Sequence, residues 1–229
     1  MTFTAIGRCP RTGRLGVATT TSEMAIGSRA PHVAANIGAV ATQASTDPRL
    51  GPLALRLLDL GYPAQRVVDE LAASDPHIEW RQLGIVDRWG HTAVRTGANN
   101  SDWRGEIRGD GWIVMGNFLV GQQVADAMAE AMSSSVEEDI EMRLMRAIDA
   151  GTRAGGQPNG QRSAALLVPE REGYTIMNLR VDDNPEPMAE LWRLFNKLHP
   201  LVPYYKQRPD DPTLGKVSEW AAARGIAYP

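Results

Sequence analysis

The chain has 229 residues and a formal net charge of -3 at pH 7. A chain of this length can bury a substantial core within one enzyme-sized domain. Its mild acidity and its 22% of charged residues provide no basic field for nucleic acid, so small or neutral ligands are the expected partners. The single Cys excludes an internal disulfide, and no apolar span of about 20 residues is present. We therefore expect a cytoplasmic protein that does not bind membranes.

Apolar runs bounded by Gly, Pro and Asp predict strands in three groups along the chain. These strands are expected over 3–8, 15–20, 37–43, 82–87, 91–96, 112–115, 163–168 and 174–181. Helical periodicity lies between the groups and predicts helices over 53–60, 64–73, 121–132, 136–150 and 187–198. The expected apolar stripe of the first helix consists of Leu53, Leu57, Leu58 and Leu60.

Strands that are segregated from paired helices favour layers over a parallel βαβ sheet. The order indicates an α+β domain over residues 1–199, in which two antiparallel sheets are covered by helices. Residues 200–229 are expected to form a tail with one short helix over 213–224, because Pro and paired Tyr disfavour a longer element.

The tail carries more apolar side chains than a free extension normally displays. They are Leu201, Val202, Tyr204, Tyr205 and Trp220. Covering a partner subunit would bury them, and this predicts a homo-oligomer in which the tail reaches a neighbour. In the alternative, the tail folds back on its own domain.

The start of the chain holds the main candidate for chemistry. A small residue after the initiator Met favours removal of Met1, which would make Thr2 the first residue. An N-terminal Thr carries a nucleophilic hydroxyl and an α-amino base with a pKa near ~8. The alternative is that Thr2 only begins an edge strand.

Several ordered blocks carry a resemblance to a known family. They are TFTAIGRCPRTGRLGVATTTS, GAVATQASTDP, IEWRQLGIVDRWGHTAVRTG, GDGWIVMGNFLVG and NLRVDDNPEPMAELWRL. From about Thr2 to His199 the chain resembles domain of unknown function 1028, a family placed with the N-terminal-nucleophile (Ntn) hydrolases. The resemblance implies a four-layer αββα sandwich of two antiparallel sheets.

Closure of the first hairpin would place the end of the second strand beside Thr2, and the resemblance implies an Asn donor at the end of a later strand. Asn117, beside a Gly at the end of its strand, is the expected oxyanion donor. The side chains expected to support the nucleophile or the substrate are Thr20, Thr21, Ser22, His32, Thr42, Gln43 and Ser45. In proteasome-type members an acidic residue ends the second strand and a Lys begins the third, whereas this chain reads ATTTS and APHVA there. The lysine-assisted form of the mechanism is therefore in doubt.

Two classes of function remain open at this point. In the first, Thr2 forms a covalent acyl-enzyme and hydrolyses an amide-type C–N bond in a small molecule, with its α-amino group as base. In the second, the sandwich is a non-catalytic binding or assembly scaffold. The four His residues lack ligand spacing, so neither a metal nor a cofactor is expected.

Overall fold

The computed structural model describes residues 1–228 as a mixed α+β fold with two antiparallel sheets. The six-stranded sheet has the order β10-β9-β2-β1-β8-β7, and the four-stranded sheet has the order β3-β4-β5-β6. The strands are β1 (Thr2–Arg8), β2 (Leu15–Thr21), β3 (Pro31–Ala34), β4 (Gly38–Ala44), β5 (Arg81–Asp87), β6 (Thr92–Thr96), β7 (Gly105–Gly109), β8 (Trp112–Asn117), β9 (Ser163–Pro169) and β10 (Thr175–Val181).

Each sheet packs against its own group of helices. Helices α1 (Leu50–Asp59) and α2 (Ala64–Ser74) contact the four-stranded sheet. Helices α3 (Gln122–Ser134), α4 (Ile140–Arg153) and α5 (Pro187–Leu198) contact the six-stranded sheet. Among the described residues, no helix combines the length and the apolar character needed to cross a membrane.

A separate hydrophobic cluster lies between the two sheets. The side chains of β1 show which face of the six-stranded sheet meets the helices and which face meets the other sheet. Phe3 and Ala5 pack with the helices of the six-stranded sheet, whereas Ile6 packs with residues of the four-stranded sheet. Because side chains alternate along a strand, Thr2 and Thr4 share the face of Ile6. Both hydroxyls therefore face the second sheet.

The structure corrects several of the expected elements. Strands β3 and β7 were not predicted, because both are short and incompletely buried. Leu53 in α1 is 39% exposed and Leu60, directly after α1, is 75% exposed, so neither belongs to the apolar stripe. The buried face consists of Leu50, Gly51, Ala54 and Leu58, which follow the spacing of a helix that covers a sheet.

The tail is more structured than expected and packs on itself. It contains two short helices, α6 (Val202–Gln207) and α7 (Val217–Ala222), instead of one. Pro203 is tolerated because it lies in the first turn of α6, where no helical N–H bond is lost. Leu201, Tyr204 and Trp220 form a buried cluster within this chain. They are therefore covered without a partner subunit, and the homo-oligomer remains a prediction.

Candidate functional site

Thr2 lies in the middle of the six-stranded sheet, between the ends of two neighbouring strands. It pairs with Thr21 of β2 on one side and with Asn117 of β8 on the other. The Thr2 side chain is only 3% exposed, and its Oγ1 donates to Thr21 Oγ1 at 3.2 Å. The pairing of β1 with both strands thus brings together the expected nucleophile, a hydroxyl and the expected oxyanion donor.

Two glutamines of the opposite sheet continue this polar cluster. Gln43 of β4 donates through Nε2 to the Thr2 carbonyl at 3.4 Å and to Gln82 Oε1 at 2.7 Å. Asn117 Nδ2 donates to the same Gln82 Oε1 at 3.0 Å. The chain of contacts therefore runs from Thr2 through the second sheet and back to Asn117.

Residues that were not singled out in the sequence complete this network. Gln82 Nε2 donates to Thr96 Oγ1 at 3.0 Å and to the Gly116 carbonyl at 3.0 Å. Thr4 Oγ1 donates to Gln43 Oε1 at 2.6 Å and contacts Thr19 Oγ1 at 2.8 Å. Two features of the sequence could have indicated these residues. Thr4 shares the face of Thr2 by strand alternation, and Gln82 is a polar residue at the start of the apolar strand β5. We refer below to Thr2, Thr4, Thr19, Thr21, Gln43, Gln82 and Asn117 as the buried polar network.

Three of the expected hydroxyls lie away from Thr2, two of them because of strand alternation. Thr20 faces the helical side of its sheet, and its hydroxyl donates to the Ser163 carbonyl at 2.8 Å. Thr42 faces the helical side of the other sheet, and its Oγ1 donates to the Asp47 carbonyl at 3.3 Å. Ser45 lies beyond the end of β4 and is exposed. None of the three contributes a hydrogen bond to the buried polar network.

The two other expected residues occupy separate environments. His32 pairs with Val40, faces α1, and its Nε2 is 3.2 Å from the Arg29 carbonyl. Burial lowers the pKa of His32, so a neutral imidazole is favoured there. Ser22 lines a cleft of about 630 Å³ beside the start of the chain, and its buried hydroxyl has no partner among the described residues. The structure therefore separates His32 from Thr2 but keeps Ser22 at a nearby surface.

Strained backbone follows two members of the network. Ala44, directly after Gln43, has φ 70, and Phe118, directly after Asn117, has φ 55. A non-glycine residue in the left-handed region is uncommon, and such residues cluster at functional sites. In both places the residue with positive φ directly follows a polar side chain of the network at the end of a strand.

Met1 covers Thr2 at the surface. Thr21 Oγ1 donates to the Met1 carbonyl, and burial lowers the pKa of the Met1 α-amino group. Asn159 Nδ2, from a residue that lines the 630 Å³ cleft, lies 3.7 Å from Met1 Sδ. Removal of Met1 would therefore connect Thr2 with this cleft.

The loop after α4 borders the same region. Its residues Asn159, Gly160 and Gln161 line the 630 Å³ cleft, and a Cβ at Gly156 would lie 3.4 Å from Phe3 Cε1 on the helical face of the sheet. The Gln157 amide that follows is buried, and neither its nitrogen nor its oxygen has a partner among the described residues. A buried amide of this kind is available to a ligand.

One group of side chains could ligate a cation, at the opposite end of the six-stranded sheet from Thr2. One ligand atom each from Asp139, Glu141 and His199 lies within 4.8 Å of the others. Arg14 already donates to Glu141 at 3.1 Å and lies 3.5 Å from the Asp139 carboxylate. Arg14 and Arg11, which lies 3.6 Å from Asp139, together compensate the two acids, so the group is accounted for as an ion-pair cluster.

The comparisons with known proteins agree with the fold. A family of unknown function (DUF1028) matches residues 2–191, and the chain belongs to this family. The crystal structure of protein SPO2555 from Silicibacter pomeroyi, also assigned to DUF1028, is similar with a TM-score of 0.80 and 31% sequence identity. The similarity covers 86% of this chain and 85% of that one. No curated protein matches the chain.

Proposed function

We propose that this protein is an Ntn-type amidohydrolase of small molecules, with a four-layer αββα sandwich fold and with Thr2 as its nucleophile after removal of Met1. The observation that carries the proposal is the position of Thr2 between Thr21 and Asn117 within the buried polar network. Burying this many polar groups is costly unless each is paired, and apolar side chains would stabilise a plain sheet interface at lower cost. A catalytic site would explain why polar groups, and not apolar side chains, occupy this part of the sheet interface.

In the proposed reaction, Thr2 Oγ1 attacks the carbonyl carbon of an amide and its proton passes to the Thr2 α-amino group. This group then protonates the leaving amine as the C–N bond breaks, which leaves an ester on Thr2. Water hydrolyses the ester, with the same amine as base. Asn117 Nδ2 is the proposed donor to the oxyanion, because one of its two N–H groups remains after the bond to Gln82.

The surroundings support an amine that is neutral near neutral pH. Burial already lowers the pKa of the Met1 α-amino group. An amine on Thr2 would lie one residue deeper, beside Thr21 and Asn117, where desolvation again favours the uncharged form. A neutral amine can accept the hydroxyl proton without assistance from a lysine.

A binding scaffold is the second candidate, and the cover provided by Met1 favours it. With Met1 in place, the nitrogen of Thr2 is an amide and cannot act as a base. The two candidate functions therefore differ in whether the peptide bond between Met1 and Thr2 is cleaved.

Turnover of small amides, ureides and cyclic imides by the Thr2 variants tests the proposal. We expect Thr2→Ala to abolish hydrolysis, Thr2→Ser to retain part of it, and the control Thr92→Ala, at the far end of β6, to match the wild type. Normal turnover by Thr2→Ala on a substrate that the wild type cleaves would refute the covalent mechanism.

A further inference from the structure

Hairpin turns from both sheets meet at the end of the fold opposite Thr2. The turns after β1, β3, β5 and β9 line a cleft of about 290 Å³ together with the last residue of β1. Its lining contains four arginines and no carboxylate. We call it the arginine cleft, and its cationic residues are Arg8, Arg11, Arg88 and Arg171.

Three of these arginines are not compensated by an acid. Arg11 lies 3.6 Å from Asp139, whereas Arg8, Arg88 and Arg171 form no ion pair within residues 1–228. The chain as a whole is acidic, with a net charge of -3, so the positive charge of this cleft departs from the average of the chain. Like charges around one small cleft repel each other unless an anion lies between them.

Two of the acids that adjoin these arginines in the sequence are engaged elsewhere. Asp87 accepts hydrogen bonds from the backbone of Trp89 and from His91 within the β5–β6 turn. Glu170 lies 2.8 Å from Lys206 Nζ and accepts the backbone N–H of Arg171 at 3.1 Å. Neither residue lines the cleft.

Backbone contacts hold the arginine-bearing turns in place. Arg8 Nε donates to the Arg88 carbonyl at 2.7 Å, and Asn36 Nδ2 donates to the Arg171 carbonyl at 2.7 Å. The first contact leaves the terminal nitrogens of Arg8 available, and Arg88 Nε is buried without a partner. The fold therefore orders the Arg8 guanidinium and the backbone of Arg88 and Arg171 before any ligand arrives.

We infer that the arginine cleft binds a phosphate group, either inorganic phosphate or the phosphate of a small ester. Arginine forks match both carboxylates and phosphates, but guanidinium groups from four separate segments suit a dianion with several oxygens better than a carboxylate with two. The cleft volume of about 290 Å³ is larger than a phosphate group and leaves room for part of an ester. Trp89 borders the cleft, is 56% exposed, and has the Arg88 guanidinium 4.5 Å from its ring centroid. Its ring is a surface for the organic part of an ester.

Calorimetric titration of the full chain at constant ionic strength tests this site, with inorganic phosphate, adenosine monophosphate and acetate as separate ligands. We expect phosphate to bind, acetate to bind at least about tenfold more weakly, and Arg88→Gln or Arg171→Gln to weaken phosphate binding about tenfold or more. Arg56→Gln is the matched control, because it removes the same charge from an exposed position on α1.

The two phosphate sources differ in their dependence on Trp89. Tighter binding of adenosine monophosphate than of phosphate, with the gain lost in Trp89→Ala, identifies an ester, whereas equal binding identifies the free anion. Absence of phosphate binding by the wild type, equal binding of acetate, or an equal loss in Arg56→Gln would overturn the inference. None of these results depends on Thr2, so the outcome is separate from that of the proposed hydrolase.

Discussion

Gln43 donates a hydrogen bond of 2.7 Å to Gln82, and this contact joins the amide beside Thr2 to the amide that holds Asn117. Both glutamines belong to the four-stranded sheet, whereas Thr2 and Asn117 belong to the six-stranded sheet. The position of the proposed nucleophile therefore depends on both sheets. Gln82 is the junction, because it contacts Gln43 and Asn117 through the same oxygen.

Gln82→Leu is predicted to destabilise the protein strongly. The change removes the acceptor for two buried amides, and each buried polar group left without a partner costs about 1–3 kcal/mol. We expect the free energy of unfolding in urea to fall by about 3 kcal/mol or more. Gln65→Leu is the control, because Gln65 is exposed on α2. A loss as small as that of the control would contradict the described network.

Thr21 and Thr20 provide a matched pair of neighbouring hydroxyls. Thr21 contacts the Thr2 hydroxyl, whereas Thr20 donates to the Ser163 carbonyl on the other face. We expect Thr21→Val to slow acylation of Thr2 by a β-lactone about tenfold or more, and Thr20→Val to change it less than about twofold. Labelling followed by mass spectrometry measures both rates. Equal effects of the two changes would show that Thr21 does not act on the nucleophile.

Gly51→Ala is predicted to destabilise the protein although alanine is the better helix former. A Cβ at this position would lie 2.1 Å from His32 Cδ2. Overpacking costs about 1–3 kcal/mol, which exceeds the gain of about 1 kcal/mol from helix propensity. A double-mutant cycle in urea with His32→Ala measures the coupling. Removing the ring should relieve most of the loss, and additive effects would exclude the clash.

The buried His32 predicts a loss of stability in acid. Its pKa is lowered by burial in the folded protein, so below about pH 6.5 the unfolded chain binds a proton that the folded chain excludes. The contribution of neutral His32 to the free energy of unfolding is complete above that pH and is lost as the pH falls. When the pH falls from about 7.5 to about 5.5, the free energy of unfolding measured in urea should decrease less in His32→Gln than in the wild type. His77→Gln is the control, because His77 is exposed and its side chain forms no ion pair within residues 1–228.

The sequence predicted the long strands and the paired helices because their periodicities are strong. It also indicated Thr2, Thr21, Gln43 and Asn117, which lie together at strand ends. Thr20 was expected beside Thr2, but a side chain next to Thr21 on the same strand must face the opposite side. Strand alternation thus excludes Thr20 from the site of Thr2. This rule can be applied only once the pairing of Thr2 with Thr21 is known.

Gln82 and His32 show the limit of reading one strand at a time. Gln82 begins an otherwise apolar strand, and only the packing of one sheet on the other brings it to Asn117. His32 precedes a predicted strand, but it lies in β3, whose pairing with β4 turns it toward α1. Which face of a strand meets which layer is a long-range property, and local patterns do not contain it.

The most direct test of the proposed mechanism is the mass of the intact protein before and after treatment with a β-lactone. We predict that the purified chain lacks one methionine residue and gains the full mass of one lactone, since ring opening transfers every atom, and that peptide mapping places the adduct on Thr2. The Thr2→Ala variant should gain nothing. A chain that retains Met1, or an adduct located on any other residue, would contradict the account.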